Sequence, residues 1–238
     1  MHSPINPASR NAIPVETLLL AYRSGIFPMA DTREDEDVFW VEPRDRAIIP
    51  LDGLRVSKSL RKVLRADRFI VTLDTAFDDV IRACSAPRPG HPESWISERI
   101  VASYVQLHRA GHAHSVECWI EEQGNLLLVG GLYGVAFDSV FCGESMFSLA
   151  DNASKVALCW LVAMLREAGF SLLDCQFMTD HLASMGAVEM PQADYLDLLA
   201  KARGKPELWL DAAHRRFSSA ENHSSPGKLI AQSLTQTS

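Results

Sequence analysis

Residues 152–174, NASKVALCWLVAMLREAGFSLLD, hold a helix and a strand in immediate succession. Ala157, Trp160, Leu161, Met164, Leu165 and Ala168 recur at helical spacing behind the cap candidate Asn152, and Gly169 is a natural stop. Phe170–Asp174 then reads as a strand, and Ala136–Phe141 reads as another strand before the helix. Strand, helix and strand in that order predict a right-handed parallel crossover. Asp174 falls at the carboxyl end of a buried strand, where open α/β sheets tend to place their ligands. A strand-end Asp is also a common loop cap, so position alone leaves both roles open.

Upstream, Pro14 is placed to start a helix carrying Leu18, Leu19, Leu20 and Tyr22, with Gly25 as its stop. Phe39–Val41 and Ala47–Ile49 read as short strands around the Glu42–Asp45 turn, which delimits a small first domain at residues 1–54. Phe69–Leu73 reads as a strand, and Asp74 or Thr75 as the cap of a helix with Phe77, Val80 and Ile81. A loop surrounds Pro87 and Pro89. Ile100, Tyr104 and Leu107 keep helical spacing up to Gly111. From His114 to Ile120 the period changes to two, and Gly124-Asn125 turns a hairpin into Leu126–Leu132. A larger second domain is thus expected over residues 55–212, with a polar, disordered tail over 213–238. The class is α+β.

At 238 residues and 47% hydrophobic the chain can bury a real core. Five Cys without a Cys-x-x-Cys pair, no secretory leader and no membrane-length apolar run read as a cytoplasmic protein with core thiols. Its net charge of −7 excludes a general nucleic-acid coat. The distribution is uneven. Residues 1–53 carry five basic and nine acidic side chains, whereas Arg55, Lys58, Arg61, Lys62, Arg65 and Arg68 face only Asp67 in the next stretch. With a Debye length of about 8 Å, a basic strip on an acidic protein can still hold one nucleic-acid segment, although such a run is also what a solvated helix face looks like.

The chemistry concentrates in Phe141-Cys142-Gly143-Glu144-Ser145-Met146-Phe147-Ser148, Ala153-Ser154-Lys155 and Asp174-Cys175-Gln176. Glu144 stands among bulky apolar residues, where a carboxylate is costly unless partnered. An apolar pocket with a few convergent polar groups is the usual form of a small-ligand site. His112, His114 and Cys118 could share a strand face, but no further ligand follows at recognisable spacing to complete a site, and metal is not expected. No Gly-x-x-x-x-Gly-Lys-Ser/Thr or Gly-x-Gly-x-x-Gly loop is present, and no nucleotide cofactor is expected either.

Together with Gly25-Ile26-Phe27-Pro28-Met29, Phe39-Trp40, Ser94-Trp95-Ile96, Gly111–Glu117, Gly130–Gly134, His181-Leu182 and Gly186-Ala187, this block resembles the leucyl/phenylalanyl-tRNA–protein transferase family over roughly residues 15 to 200. The resemblance implies transfer of Leu, Phe or, less readily, Met from tRNA onto proteins beginning with Arg or Lys, marking them for degradation. It implies a GNAT-like mixed-sheet second domain working without metal or nucleotide cofactor; the sequence does not give the oligomeric state, with a monomer the expected form. It implies Asp174 and Gln176 as the pair assisting the acceptor amine, Glu144 as an acidic partner for the cationic acceptor, and Leu132, Phe141, Leu158 and Leu161 as the donor side-chain pocket. Trp40 and Trp95 match aromatics that contact the terminal adenosine, and Arg55, Lys58, Arg61, Lys62 and Arg65 are the expected tRNA contacts. Phe39 departs from the family's second Trp. The rivals are an acyl-CoA-dependent GNAT N-acyltransferase, for which no pyrophosphate-binding turn precedes Asn152, and a non-enzymatic tRNA-end binder, which leaves Glu144, Asp174 and Gln176 unexplained.

Overall fold

The computed structural model describes residues 12–87, 93–219 and 224–235. In chain order these form α1 (Val15–Arg23), β1 (Phe27–Met29), β2 (Phe39–Val41), β3 (Asp45–Ile49), α2 (Lys58–Arg65), β4 (Ile70–Leu73), α3 (Phe77–Ser85) and α4 (Glu98–Arg109). Then follow β5 (Ala113–Glu122), β6 (Asn125–Phe137), β7 (Val140–Ser148), α5 (Ala153–Glu167), β8 (Leu172–Gln176), α6 (Asp180–Ser184), β9 (Val188–Pro191), α7 (Gln192–Lys201), α8 (Leu210–Ser218) and α9 (Pro226–Ser233).

A seven-stranded mixed sheet runs in the order β4-β5-β6-β7-β8-β3-β9. β4 to β7 are an antiparallel meander, and β7 pairs parallel with β8 through α5, which is the expected crossover in an α+β fold. Alternation sorts the strands' side chains onto two faces. One face packs on α5, α2, α8 and α9, and the other on α1, α3, α4 and α7. Every residue from Val156 to Leu165 is buried, because α5 lies between the sheet and a second layer of helices.

The strand before α5 is displaced from the expected place. Ala136–Phe141 is not one strand: Asp138, with φ of 50°, makes a tight turn, and β7 begins at Val140 and continues to Ser148. The run around Glu144 is therefore strand, and Cys142 and Glu144 share a face. Asn152 takes φ of 71° and gives no side-chain cap, whereas the Ser148 hydroxyl accepts from Ser154 N–H in the first turn. Asp74 likewise caps no helix; it accepts from Ser115 N–H and contacts His114.

Two expected divisions of the chain also differ. The boundary expected at residue 54 falls beyond a strand of the main sheet, since β3 inserts between β8 and β9, while β1 and β2 pair with each other in a separate two-stranded sheet. The region beyond residue 213 contains ordered helix where disorder was expected. Leu210, Ala213 and Phe217 fall at helical spacing and bury one face of α8, while Ile230 and Ala231 bury α9. Gly227 lies against α2, where a Cβ would come within 1.9 Å of the Leu64 carbonyl oxygen. Part of the Pro87–Pro89 loop lies outside the described residues.

Candidate active site

Glu144 is 8% exposed and enclosed by donors from three elements. Tyr22 of α1 donates its hydroxyl to Oε1 at 2.7 Å, Tyr104 of α4 donates to Oε2 at 3.1 Å, and Gln176 of β8 donates Nε2 to Oε1 at 2.8 Å. The two tyrosine hydroxyls also lie within bonding distance of each other, a contact in which one of them donates in place of its bond to Glu144. Burial pushes the Glu144 carboxyl up from 4.5 to about 7, against the downward pull of the Tyr22 and Gln176 hydrogen bonds. A carboxyl near neutrality can exchange a proton with an amine.

Glu144 and Gln176 reach a cavity of about 560 Å³. Its apolar wall includes Leu132, Leu158, Leu161 and Leu173, and its rim includes Trp95, Thr179 and His181. Three residues expected in the donor pocket, Leu132, Leu158 and Leu161, therefore come together, and Trp95, expected at the adenosine, lines the same cavity. Phe141 does not line the cavity: it is fully buried, with its ring over Gly134, where a Cβ would lie 2.4 Å from it. Trp40 lies outside the lining as well, 42% exposed on β2 opposite Pro28.

Asp174 is placed differently from a base that meets a substrate amine. It is 0% exposed, and its carboxylate accepts from Arg46 Nε at 2.8 Å and Nη2 at 2.6 Å. It also accepts from Tyr195 Oη at 3.1 Å, Cys142 Sγ at 3.2 Å and the Gln176 backbone N–H at 2.8 Å. Five donors occupy it. Arg46, itself fully buried, donates Nη1 to the Gly25 carbonyl at 3.0 Å and lies over the rings of Tyr195 and Phe27. Burial alone would lower the guanidinium's pKa, but the Asp174 carboxylate overrides it and holds it above its ordinary value. Gln176, whose N–H makes this bond, itself has φ of 64°, a left-handed conformation that a non-glycine adopts only when held there. Asp174 therefore aims Gln176, and Gln176 meets the cavity.

Sequence reasoning missed Arg46, Tyr195, Tyr22 and Tyr104 as parts of this network. The two last were counted only as apolar helix residues, although a buried tyrosine hydroxyl ordinarily requires a partner.

Of the basic strip, Lys58, Lys62 and Arg65 are exposed on α2 while Leu60 and Leu64 bury its other face. Among the described residues none of the strip's cations forms an ion pair. His114 is held by Asp74 at 2.7 Å, and Cys118 donates to the Ala153 carbonyl. No group of three or more possible metal ligands occurs among the described residues.

A family model described as leucyl/phenylalanyl-tRNA protein transferase matches residues 48–200, and the model of that family's N-terminal domain matches residues 11–44. A protein of Novosphingobium aromaticivorans called leucyl/phenylalanyl-tRNA–protein transferase is 53% identical over 96% of this chain and 98% of its own length. Proteins of the same name from Rhizorhabdus wittichii and Zymomonas mobilis are 56% and 55% identical, each over 81% of this chain and over 76% and 70% of their own lengths.

Proposed function

The chain belongs to the leucyl/phenylalanyl-tRNA protein transferase family and is an aminoacyltransferase that moves an amino acid from tRNA to a protein N-terminus; on that premise we propose that Leu, Phe or Met is transferred in the Glu144–Gln176 cavity onto acceptors beginning with Arg or Lys. The observation that carries the reading is the buried Glu144 carboxyl, held by Tyr22, Tyr104 and Gln176 at the wall of an apolar hole. The ester bond of an aminoacyl-tRNA is already activated, so the enzyme must position an amine and remove its proton. An α-amino group has a pKa of about 7.7–8.0, within about a unit of Glu144, which suits proton transfer at neutral pH.

In this mechanism the donor side chain fills the space among Leu132, Leu158 and Leu161. Gln176 gives its amide N–H to Glu144 and keeps its carbonyl oxygen to accept from the attacking amine. The amine nitrogen bonds to the ester carbonyl carbon, Glu144 takes the proton, and the bond to the ribose oxygen breaks. The proton then goes to that oxygen. Asp174 and Arg46 fix the Gln176 backbone. Trp95 at the rim, with Trp40, offers stacking surface to the terminal adenosine, worth about 1–3 kcal/mol per base. No helix among the described residues is long and apolar enough to cross a membrane. A cytoplasmic role in marking acceptors for degradation accords with this chemistry.

The direct test incubates radiolabelled Leu-tRNA with a peptide beginning in Arg and with the same peptide beginning in Ala. Label should pass to the first and not the second. Equal labelling, or none, would refute the acceptor assignment.

Two variants test the parts. Leu158→Ala enlarges the hole, so kcat/KM should shift toward Phe over Leu by a factor set by roughly 1–3 kcal/mol. An unaltered ratio would leave Leu158 a core residue only. Replacing Arg61, Lys62 and Arg65 with Ala should weaken tRNA binding and lower its log–log salt slope by about 0.9 for each duplex phosphate that is no longer neutralised. If the loss were as large with aminoacyl-adenosine as donor, the strip would be structural.

A further inference from the structure

A second cavity, of about 430 Å³, opens beside the first. Arg55, Ser57, Lys155 and Ser184 supply its polar lining, and Val56, Leu60 and Met185 the remainder. The two cavities share walls: Ser154 and Leu158 on α5 line the first and Lys155 the second, while His181 and Leu182 on α6 line the first and Ser184 the second. The lining holds two cations and no carboxylate, and neither Arg55 nor Lys155 forms an ion pair among the described residues. Such a concavity selects an anion.

Its shape is fixed by the backbone rather than left to surface side chains. Arg55 N–H bonds the Met185 carbonyl at 2.8 Å, and Gly186, with φ of 100°, packs so close that a Cβ would lie 2.4 Å from the Gly53 carbonyl oxygen. This contact pins the Arg55 loop to the end of α6. Ser57 caps α2 through Leu60 N–H at 3.1 Å, so the positive end of that helix also faces this region. The Ser184 hydroxyl gives its proton to the His181 carbonyl at 2.7 Å. His181 Nε2 is buried without a partner. Burial and then the nearby Lys155 ammonium keep the His181 pKa below its ordinary value.

We propose that the second cavity seats a phosphodiester of the single-stranded 3′ end of the donor tRNA, with Lys155 and Arg55 as its cationic ligands. The assignment rests on the reading of the first cavity as the aminoacyl site, because a strand whose last residue carries the amino acid must pass its phosphates close by. It divides the work on the donor. The apolar hole reads the side chain, the second cavity reads the backbone without reading sequence, and the α2 strip contacts the duplex.

The test uses ligands that carry no amino acid. Binding of the trinucleotide CpCpA and of adenosine is measured by titration calorimetry over a range of salt, on the wild type, Lys155→Gln and Arg55→Gln. CpCpA should bind the wild type about tenfold or more tightly than adenosine, with a salt slope of about 0.7 per single-strand phosphate contact, and each variant should lower both the advantage and the slope. If both variants keep the wild-type slope, or lose adenosine as much as CpCpA, the assignment is overturned. Inorganic phosphate alone should bind far more weakly than CpCpA; phosphate binding as tight as that of the trinucleotide would show a free-anion site and overturn the tRNA assignment. The outcomes separate this site from the proposed function. Leucine transfer to the Arg peptide with CpCpA slopes unchanged in the variants refutes the phosphate site alone, whereas the expected slopes without transfer refute the transfer reading.

Discussion

Arg46→Met should destabilise the fold by about 3–5 kcal/mol, because it leaves the Asp174 carboxylate buried and without its charged partner. Both side chains are fully buried, so solvent screens nothing. The double variant Arg46→Met with Asp174→Leu should recover most of that loss, since exchanging a whole buried pair for apolar residues is far cheaper than breaking it. Turnover should not recover. Without Asp174 the Gln176 N–H loses its acceptor and the left-handed turn its anchor, and a misplacement of about 1 Å at a reacting group can cost 100-fold in rate. Denaturant melts and kcat on the same three proteins separate the effects. A double variant that is stable and also turns over at the wild-type rate would show that the pair only holds the core.

This network explains which parts of the protein could be read from the sequence. The α5 crossover was legible because ten successive residues of that helix are buried and nearly all are apolar, with Gly169 marking its end. The Asp138 turn was not, because the residues either side form one apolar run and only the pair Asp138-Ser139, with Asp138 in the left-handed region, divides them. Glu144 and Gln176 could be found as polar residues in apolar strands. Arg46 could not: it sits in a short strand 128 residues from Asp174 and looks like any surface arginine until β3 is placed beside β8. Asp174 was legible as important, but its role depends on Arg46, Cys142 and Tyr195 from three other elements, which no local pattern reveals. In the same way, Tyr22 and Tyr104 satisfied a helical period so well that their hydroxyls went unused. The helices α8 and α9 were obscured by polar composition, although Leu210, Ala213 and Phe217 already held the spacing of a buried face.

Glu144→Gln should separate stability from activity in the opposite direction. In the fold this carboxyl titrates near 7, against 4.5 ordinarily, so its protonated form is the stabilising one. Its contribution is fully present below pH 4.5 and is lost as pH rises through about 7, a change on the order of 3 kcal/mol. Glutamine does not ionise and escapes that loss. The difference in melting temperature, variant minus wild type, should therefore grow more positive from pH 5 to pH 8, as differential scanning calorimetry can follow. A difference that stays flat over that range would mean that Glu144 titrates near its ordinary value.

The variant should nonetheless be a poor enzyme, since it can neither receive the amine's proton nor return it to the ribose oxygen. The decisive measurement is the single-turnover rate of Leu transfer from saturating Leu-tRNA to the Arg peptide, wild type against Glu144→Gln, at a pH where both are folded. A fall of about 100-fold or more, with Leu-tRNA affinity retained, is the expected result; a rate within about threefold of the wild type would contradict the placement of the chemistry at Glu144.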